Sequence, residues 1–413
     1  MTWKMIASFV RSRSGVLLGI SSVGLILLLG THFRGSVQAA WRIFRIPPFP
    51  IRFSDSAFVA YSIDCLKSGQ DPYAVCSFMP WHGVYNYPPV WLDLRYVGVS
   101  SRSTNWIGIL FAMMSVCALL LLFRAAGRVG RILCFFAAMS WPLLFAVERG
   151  NIDEVIFFLL VAGFFLTDRL PVRARTWCIS LLVVGLTCLK IYPIAAALVM
   201  ARNRRGAWVA LATGAGATVA LLVTSGHRLF QILANTPHVV LASYGAFPVT
   251  MTLSRHLLPA LSGQVEAHPS IASVCAAAMA LPAVVCGVAW EERLYKIVPR
   301  LDLDCARGRI AASCMAIYWF TFVLGASFDY RLIFLLGILA YLVKDIDSGS
   351  SSHSMWAAVF LLIYFAVSAL IYQPMIHALP DLLLYLFVCA WLGSAIQQRL
   401  RGTPGVRPAL AVV

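Results

Sequence analysis

IRFSDSAFVAYSIDCLKSGQDPY, residues 51–73, sets two aspartates among apolar neighbours and closes on a Gly-x-x-Pro-Tyr turn. It follows a first apolar run at 15–31. Ser54 is expected to cap a helix whose early positions include Asp55. At helical spacing Asp55 shares a face with Phe58, Val59, Ser62 and Leu66, and Asp64 projects from the other side. Asp55 is therefore expected on the apolar face and Asp64 on the wetter one. A carboxylate at a helix start often does no more than complement the helix dipole. One held among apolar groups is disfavoured as an anion unless cations are near, and that is how a general base is tuned.

The rest of the chain sets this helix in a membrane. Of 413 residues, 60% are hydrophobic and only 12% charged, with a mean hydropathy of +0.81. Soluble domains carry about 25% charged residues. Apolar spans read near 15–31, 104–124, 129–147, 151–167, 175–189, 191–201, 206–224, 270–290, 309–325, 331–344, 354–372 and 379–398. The expected fold class is an all-α polytopic membrane protein with roughly 10–12 transmembrane helices. It forms a single membrane domain over 1–413, with short amphipathic helices in the loop 32–103. The net charge of +16 belongs to short Lys/Arg clusters between spans and has no nucleic-acid motif beside it. With the N-terminus inside, most of the 33 Lys and Arg fall on the cytoplasmic side. Both termini are then cytoplasmic. The segments 32–103, 148–153, Lys190, 225–269, 325–331 and 373–381 share the exterior face. No internal repeat of the kind found in many transporters is visible. Of the 11 cysteines, Cys65 and Cys76 share the first exterior loop and can pair there.

That exterior face gathers the unusual residues. Tyr73, Trp81 and Tyr87 stand in the first loop, where aromatics suit a membrane interface or a sugar ring. Glu148-Arg149-Gly150-Asn151-Ile152-Asp153-Glu154 fills a very short junction between spans. Lys190-Ile191-Tyr192-Pro193 interrupts a long apolar run, with the break expected at Pro193, and a lysine there is costly unless it faces a cavity or snorkels. Asp329, Tyr330 and Arg331 lie between two later spans; Asp329 and Arg331 can pair, or Arg331 can take a phosphate. Carboxylates, cations and aromatics on one face suggest a base acting on a nucleophile, with cations stabilising an anionic leaving group. Asp302-x-Asp304 and Asp345-x-Asp347 fall on the opposite face and read as solvated loop charges. There is no P-loop, HExxH or GxSxG, and a zinc site has no support.

Asp55, the Gly69-x-x-Pro72-Tyr73 turn, Tyr87-Pro88-Pro89, Gly150-Asn151-x-Asp153 and Lys190-x-x-Pro193 together resemble glycosyltransferase family 87. The resemblance runs from about residue 50 to about 335 and departs at Glu148-Arg149, where a Gly-Gln pair is expected. It implies a GT-C-type fold in a bacterial plasma membrane with the site on the exoplasmic side. It implies a polyprenyl-phosphate sugar donor, mannose first, and a glycolipid or glycan acceptor, with membrane lipids around and no nucleic acid. Asp55 is the matching catalytic base. Lys190, Arg331 and Arg149 are expected at the donor phosphate. Tyr73, Trp81, Tyr87, Glu148, Asn151, Asp153, Asp329 and Tyr330 are expected at the sugar or acceptor. No cofactor or metal is expected, and His82, His256 or His377 can assist the base. A lipid-linked-sugar flippase, or a lipid-linked glycan polymerase or ligase, would gather similar residues and stays open at this point.

Overall fold

A computed structural model gives the fold and describes residues 3–79, 83–124, 127–201, 204–236, 240, 242–257, 259–349, 353–370 and 374–400. Among them, helices dominate, and the two-residue strands Ser243–Tyr244 and Ser327–Phe328 pair antiparallel. Among the described residues, seven helical segments are long and apolar enough to cross a membrane, the first Ile6–Arg34 and the last Ile376–Gln398. Their outer faces leave large apolar side chains such as Leu28, Trp177, Trp208 and Val223 exposed, which suits a surface that meets lipid. Shorter apolar helices fill the centre. Ile156, Phe157, Leu160, Val161 and Phe164 of the Ile152–Thr167 helix are wholly buried, and Leu335–Val343 is buried throughout. Two glycines bring the Ser270–Ala289 and Pro374–Leu400 helices together, since a Cβ on Gly287 or Gly393 would strike the other helix's backbone.

Three expectations need correction. The span read at 129–147 holds as Arg128–Arg149, but it is built of two helices, Arg128–Ala138 and Trp141–Arg149, and not one. Pro142 has no N–H to give the preceding turn and starts the second helix instead. The break read at Pro193 lies earlier. The helix ends at Leu189, Lys190 is extended, and Pro193 sits in the first turn of a 3-10 stretch, Tyr192–Met200. The acidic pair at 345 and 347 ends a helix, Leu335–Asp347, rather than lying in a loop.

The first loop is tied down at several points. Cys65 and Cys76 form a disulfide between the Ser54–Lys67 helix and the chain that follows it. Trp91 Nε1 donates to the carbonyl of Leu189 at 3.0 Å, satisfying a helix-end acceptor beside Lys190. The second loop closes over the first. Arg228 pairs with Asp71 at 2.7 Å, and the Asn235 amide donates to the carbonyls of Tyr73 and Tyr85. The short strands then tie this loop to the 325–331 segment, where the Asp329 N–H donates to Ala242 O at 3.0 Å. The first loop, the second loop, the end of the helix before Lys190 and the 325–331 segment thus meet in one place.

Candidate active site

The Ser54–Lys67 helix does not begin as expected. Phe53, not Ser54, precedes it in the left-handed conformation at φ 52°, and its carbonyl accepts the first helical bond from Ala57. A bulky residue there costs on the order of 1–3 kcal/mol and must be held by its surroundings. Gly108 and Gly150 leave the space: a Cβ on either would strike Phe53. Gly150 itself ends the Trp141–Arg149 helix at φ 57°, and its carbonyl accepts from Ser56 Oγ at 2.6 Å. The Asp55 helix is therefore seated on the Gly150-Asn151 junction. Gly150→Ala would meet Ser56 Oγ at 2.7 Å and Phe53 Cβ at 2.8 Å in a backbone region that alanine disfavours. We expect it to lower unfolding stability by about 1–3 kcal/mol, read as an earlier thermal transition in detergent.

Asp55 is buried, as its helical face predicts. Its Oδ1 accepts from Arg149, with Nη2 at 2.9 Å and Nε at 3.2 Å, and its Oδ2 accepts from the Asn151 amide. A carboxylate has about four lone-pair sites, so these donors fix its direction and leave acceptor capacity. Arg149 is stacked on Phe49, 3.7 Å from the ring centre. Asn151 caps the Ile152–Thr167 helix through its Oδ1, which accepts the Asp153 N–H at 2.8 Å and also faces Lys190 Nζ at 3.4 Å. One amide thus touches both the aspartate and the lysine.

Asp153 is wholly buried and collects the second set of donors. Lys190 and the Tyr192 hydroxyl both donate to its Oδ1. Arg331 Nε lies 3.4 Å from its Oδ2, an ionic contact without hydrogen-bond alignment, while Arg331 Nη1 donates to Ser327 Oγ at 2.9 Å. The Lys190 ammonium sits among the rings of Tyr87, Tyr192 and Tyr330, between 5.3 and 5.8 Å from their centres. Burial pushes Lys190 down to about 8, against the pull of Asp153.

Several of these groups border one cavity of about 330 Å³. Of the residues expected at the site, Asp55, Tyr87, Arg149, Lys190, Tyr330 and Arg331 line it. Asn151 and Asp153 stand behind its wall and hold the lining groups in place, so neither is a direct contact. Tyr73 is also a support: its hydroxyl donates to Tyr87 O at 2.8 Å and its ring packs on Tyr85. Glu148 accepts the Phe49 N–H at 3.3 Å and does not line the cavity. Asp329 is off the wall as well. It does not pair with Arg331; its carboxyl is buried, and that burial, with Asp381 nearby, pushes it well above the usual carboxylate range. Trp81 and His82 lie outside the described residues. His256 bonds the Thr252 carbonyl, and His377 borders a separate small cavity with Asp381, so neither reaches Asp55.

Sequence reasoning missed several lining groups. Leu229, Ile232 and Leu233 of the second loop roof the cavity, and Phe49 and Phe328 add apolar wall. Ser54 contributes a buried hydroxyl with no partner among the described residues, beside the aspartate. The apolar residues of the Arg228–Ala234 helix, set in a loop between spans, were the available signal for the roof.

The cavity thus sets a carboxylate on one donor set and a surplus cation on another, inside a bundle of apolar helices. The family profile described as "Glycosyltransferase family 87" matches residues 80–299, more than half of the chain. The chain belongs to glycosyltransferase family 87 and is a multi-pass membrane glycosyltransferase. Among solved structures, the crystal structure of ArnT from Cupriavidus metallidurans in the apo state is similar over 92% of this chain and 78% of that one. Its identity to this chain is 11% and its TM-score 0.30, a likeness too slight to carry an argument. No curated protein sequence matches the chain. The membership sets aside the flippase reading.

Proposed function

We propose that this protein transfers a hexose, mannose first, from a polyprenyl-phosphate donor to a hydroxyl of a glycolipid or glycan, with inversion at the anomeric carbon. The reaction belongs to the exoplasmic face of a bacterial plasma membrane, in a GT-C-type architecture with both termini in the cytoplasm. The observation that carries this reading is the pairing of charges at the cavity. Arg149 is matched by Asp55, whereas Lys190 and Arg331 share the single carboxylate of Asp153. One positive charge is left over, which balances the one negative charge of a sugar phosphodiester. A diphosphate donor, as a glycan polymerase or ligase would use, brings more charge than this seat matches.

In the proposed step Asp55 takes the proton of the acceptor hydroxyl as its oxygen bonds to the anomeric carbon. The bond from that carbon to the phosphate oxygen breaks, and the electron pair leaves with the polyprenyl phosphate. Lys190 and Arg331 meet the charge that develops on the leaving group, where a fixed cation in a dry site is most effective. Phosphate is already a fair leaving group, so this reading needs no metal. Tyr87, Tyr330 and Phe58 offer ring faces to the sugar, and the Ser54 hydroxyl offers it a polar contact. Arg149 orients the base rather than seating the phosphate.

The test is a transfer assay on purified protein in nanodiscs. Radiolabelled polyprenyl-phosphate mannose is compared with the glucose and arabinose donors and with a polyprenyl-diphosphate sugar, using membrane lipid extract as acceptor, with and without EDTA. Label entering a new lipid or glycan from a monophosphate donor supports the proposal. Transfer from the diphosphate donor alone would replace it with the polymerase reading, and no transfer from any donor would end it. The lysine adds a pH signature. Lys190 is charged below about 8 and loses that charge as pH rises through it. Donor KM is therefore expected to climb above that pH and to stay flat below it, and a donor KM indifferent to pH between 7 and 9 would remove Lys190 from the phosphate seat.

A further inference from the structure

Glu154 lies outside every role described so far. It is wholly buried at the start of the Ile152–Thr167 helix, at the depth where that helix enters the bundle. A carboxyl group there is costly and is seldom idle. Its Oε1 accepts the backbone N–H of Asn151 at 3.1 Å, and its Oε2 accepts from Ser115 Oγ at 2.8 Å. Ser115 belongs to a different helix, Thr104–Leu122, and is itself buried. A local cap needs only the first of these bonds. The second fixes the carboxyl from outside its own helix.

The consequence runs through Asn151. Its side-chain N–H₂ serves Asp55 and its side-chain oxygen faces Lys190, so only one orientation of that amide suits both. We propose that Glu154, braced by Ser115, is a positioning residue: it locks the Asn151 backbone so that one amide aligns the base and the phosphate seat together. The inference rests on the transferase reading for its effect on rate. Its structural claim stands separately.

The experiment compares Glu154→Leu and Glu154→Gln with wild type in nanodiscs, by transfer kinetics and by amide hydrogen exchange over residues 146–156. Leu fills the space and removes both acceptors. Gln keeps an acceptor for the Asn151 N–H and can donate to Ser115. Glu154→Leu is expected to lower kcat on the order of 10²-fold, the cost of a slightly misplaced reacting group, with donor KM little changed. Exchange at the junction is expected to speed up about fivefold, as for one lost hydrogen bond. Glu154→Gln is expected to recover most of the rate and the protection. Equal impairment in both variants, or wild-type kinetics in Glu154→Leu, overturns the proposal. If wild type itself transfers no sugar from any donor, the transferase reading fails alone. Exchange then decides Glu154: acceleration in the Leu variant only supports it, and unchanged protection overturns it.

Discussion

Asp55→Asn is expected to lower the transfer rate by about 10²–10⁴-fold, the usual contribution of a positioned general base. The substitution keeps the shape of the group and removes its capacity to take a proton. It also leaves Arg149 without its ionic partner in a buried place. A loss of stability must therefore be separated from a loss of chemistry. Thermal transitions and donor binding measured on the same preparation do this. A folded Asp55→Asn protein that binds donor with unchanged affinity and does not turn it over is the expected result. Near-normal transfer by that variant would remove Asp55 from the base role.

The second large effect is expected at Asp153. This carboxylate receives Lys190, Tyr192 and Arg331 in a place without solvent. Removing one partner of a buried ion pair typically destabilises by about 3–5 kcal/mol, because the other charge is left uncompensated. Asp153→Asn therefore should melt well below wild type. The lysine follows. With Asp153 present, burial already holds Lys190 down at about 8. Without the carboxylate the ammonium is less favoured still, so it loses its proton at lower pH, and Arg331 alone keeps the one positive charge of the seat. Donor KM of the variant should therefore lack the climb above about pH 8 expected of wild type. A variant that melts like wild type and whose donor KM still climbs above that pH would mean that Asp153 does not organise this seat.

The class of the chain and the grouping of its polar segments were legible in the sequence. Apolar length and Lys/Arg placement were enough to bring the first loop, the 148–153 junction, Lys190 and the 325–331 segment to one face. The helical period aimed Asp55 inward. Other features needed the fold. Phe53 takes the cap position because Gly108 and Gly150, far away in sequence, leave room for it. Asp329, Tyr330 and Arg331 fall in a 3-10 turn. Three residues complete such a turn, so these neighbours point in different directions, and only Tyr330 and Arg331 face the cavity. Glu154 reads as one more charge in a polar junction, and its bond to Ser115 crosses between helices that local pattern cannot register. The roof over the site comes from a loop whose partners lie more than a hundred residues earlier.

The Cys65–Cys76 bridge turns the first loop into a record of where it has been. Only an oxidising compartment makes such a bond durable, and the other nine cysteines are free thiols. Counting the thiols that accept a mass tag after denaturation therefore dates each molecule. On the proposed exoplasmic placement of the site, eleven tags mark a chain whose first loop has not reached the oxidising side, and nine mark one whose loop has been delivered and sealed. The same gel that checks purity thus tests that proposed orientation, without antibody or protease.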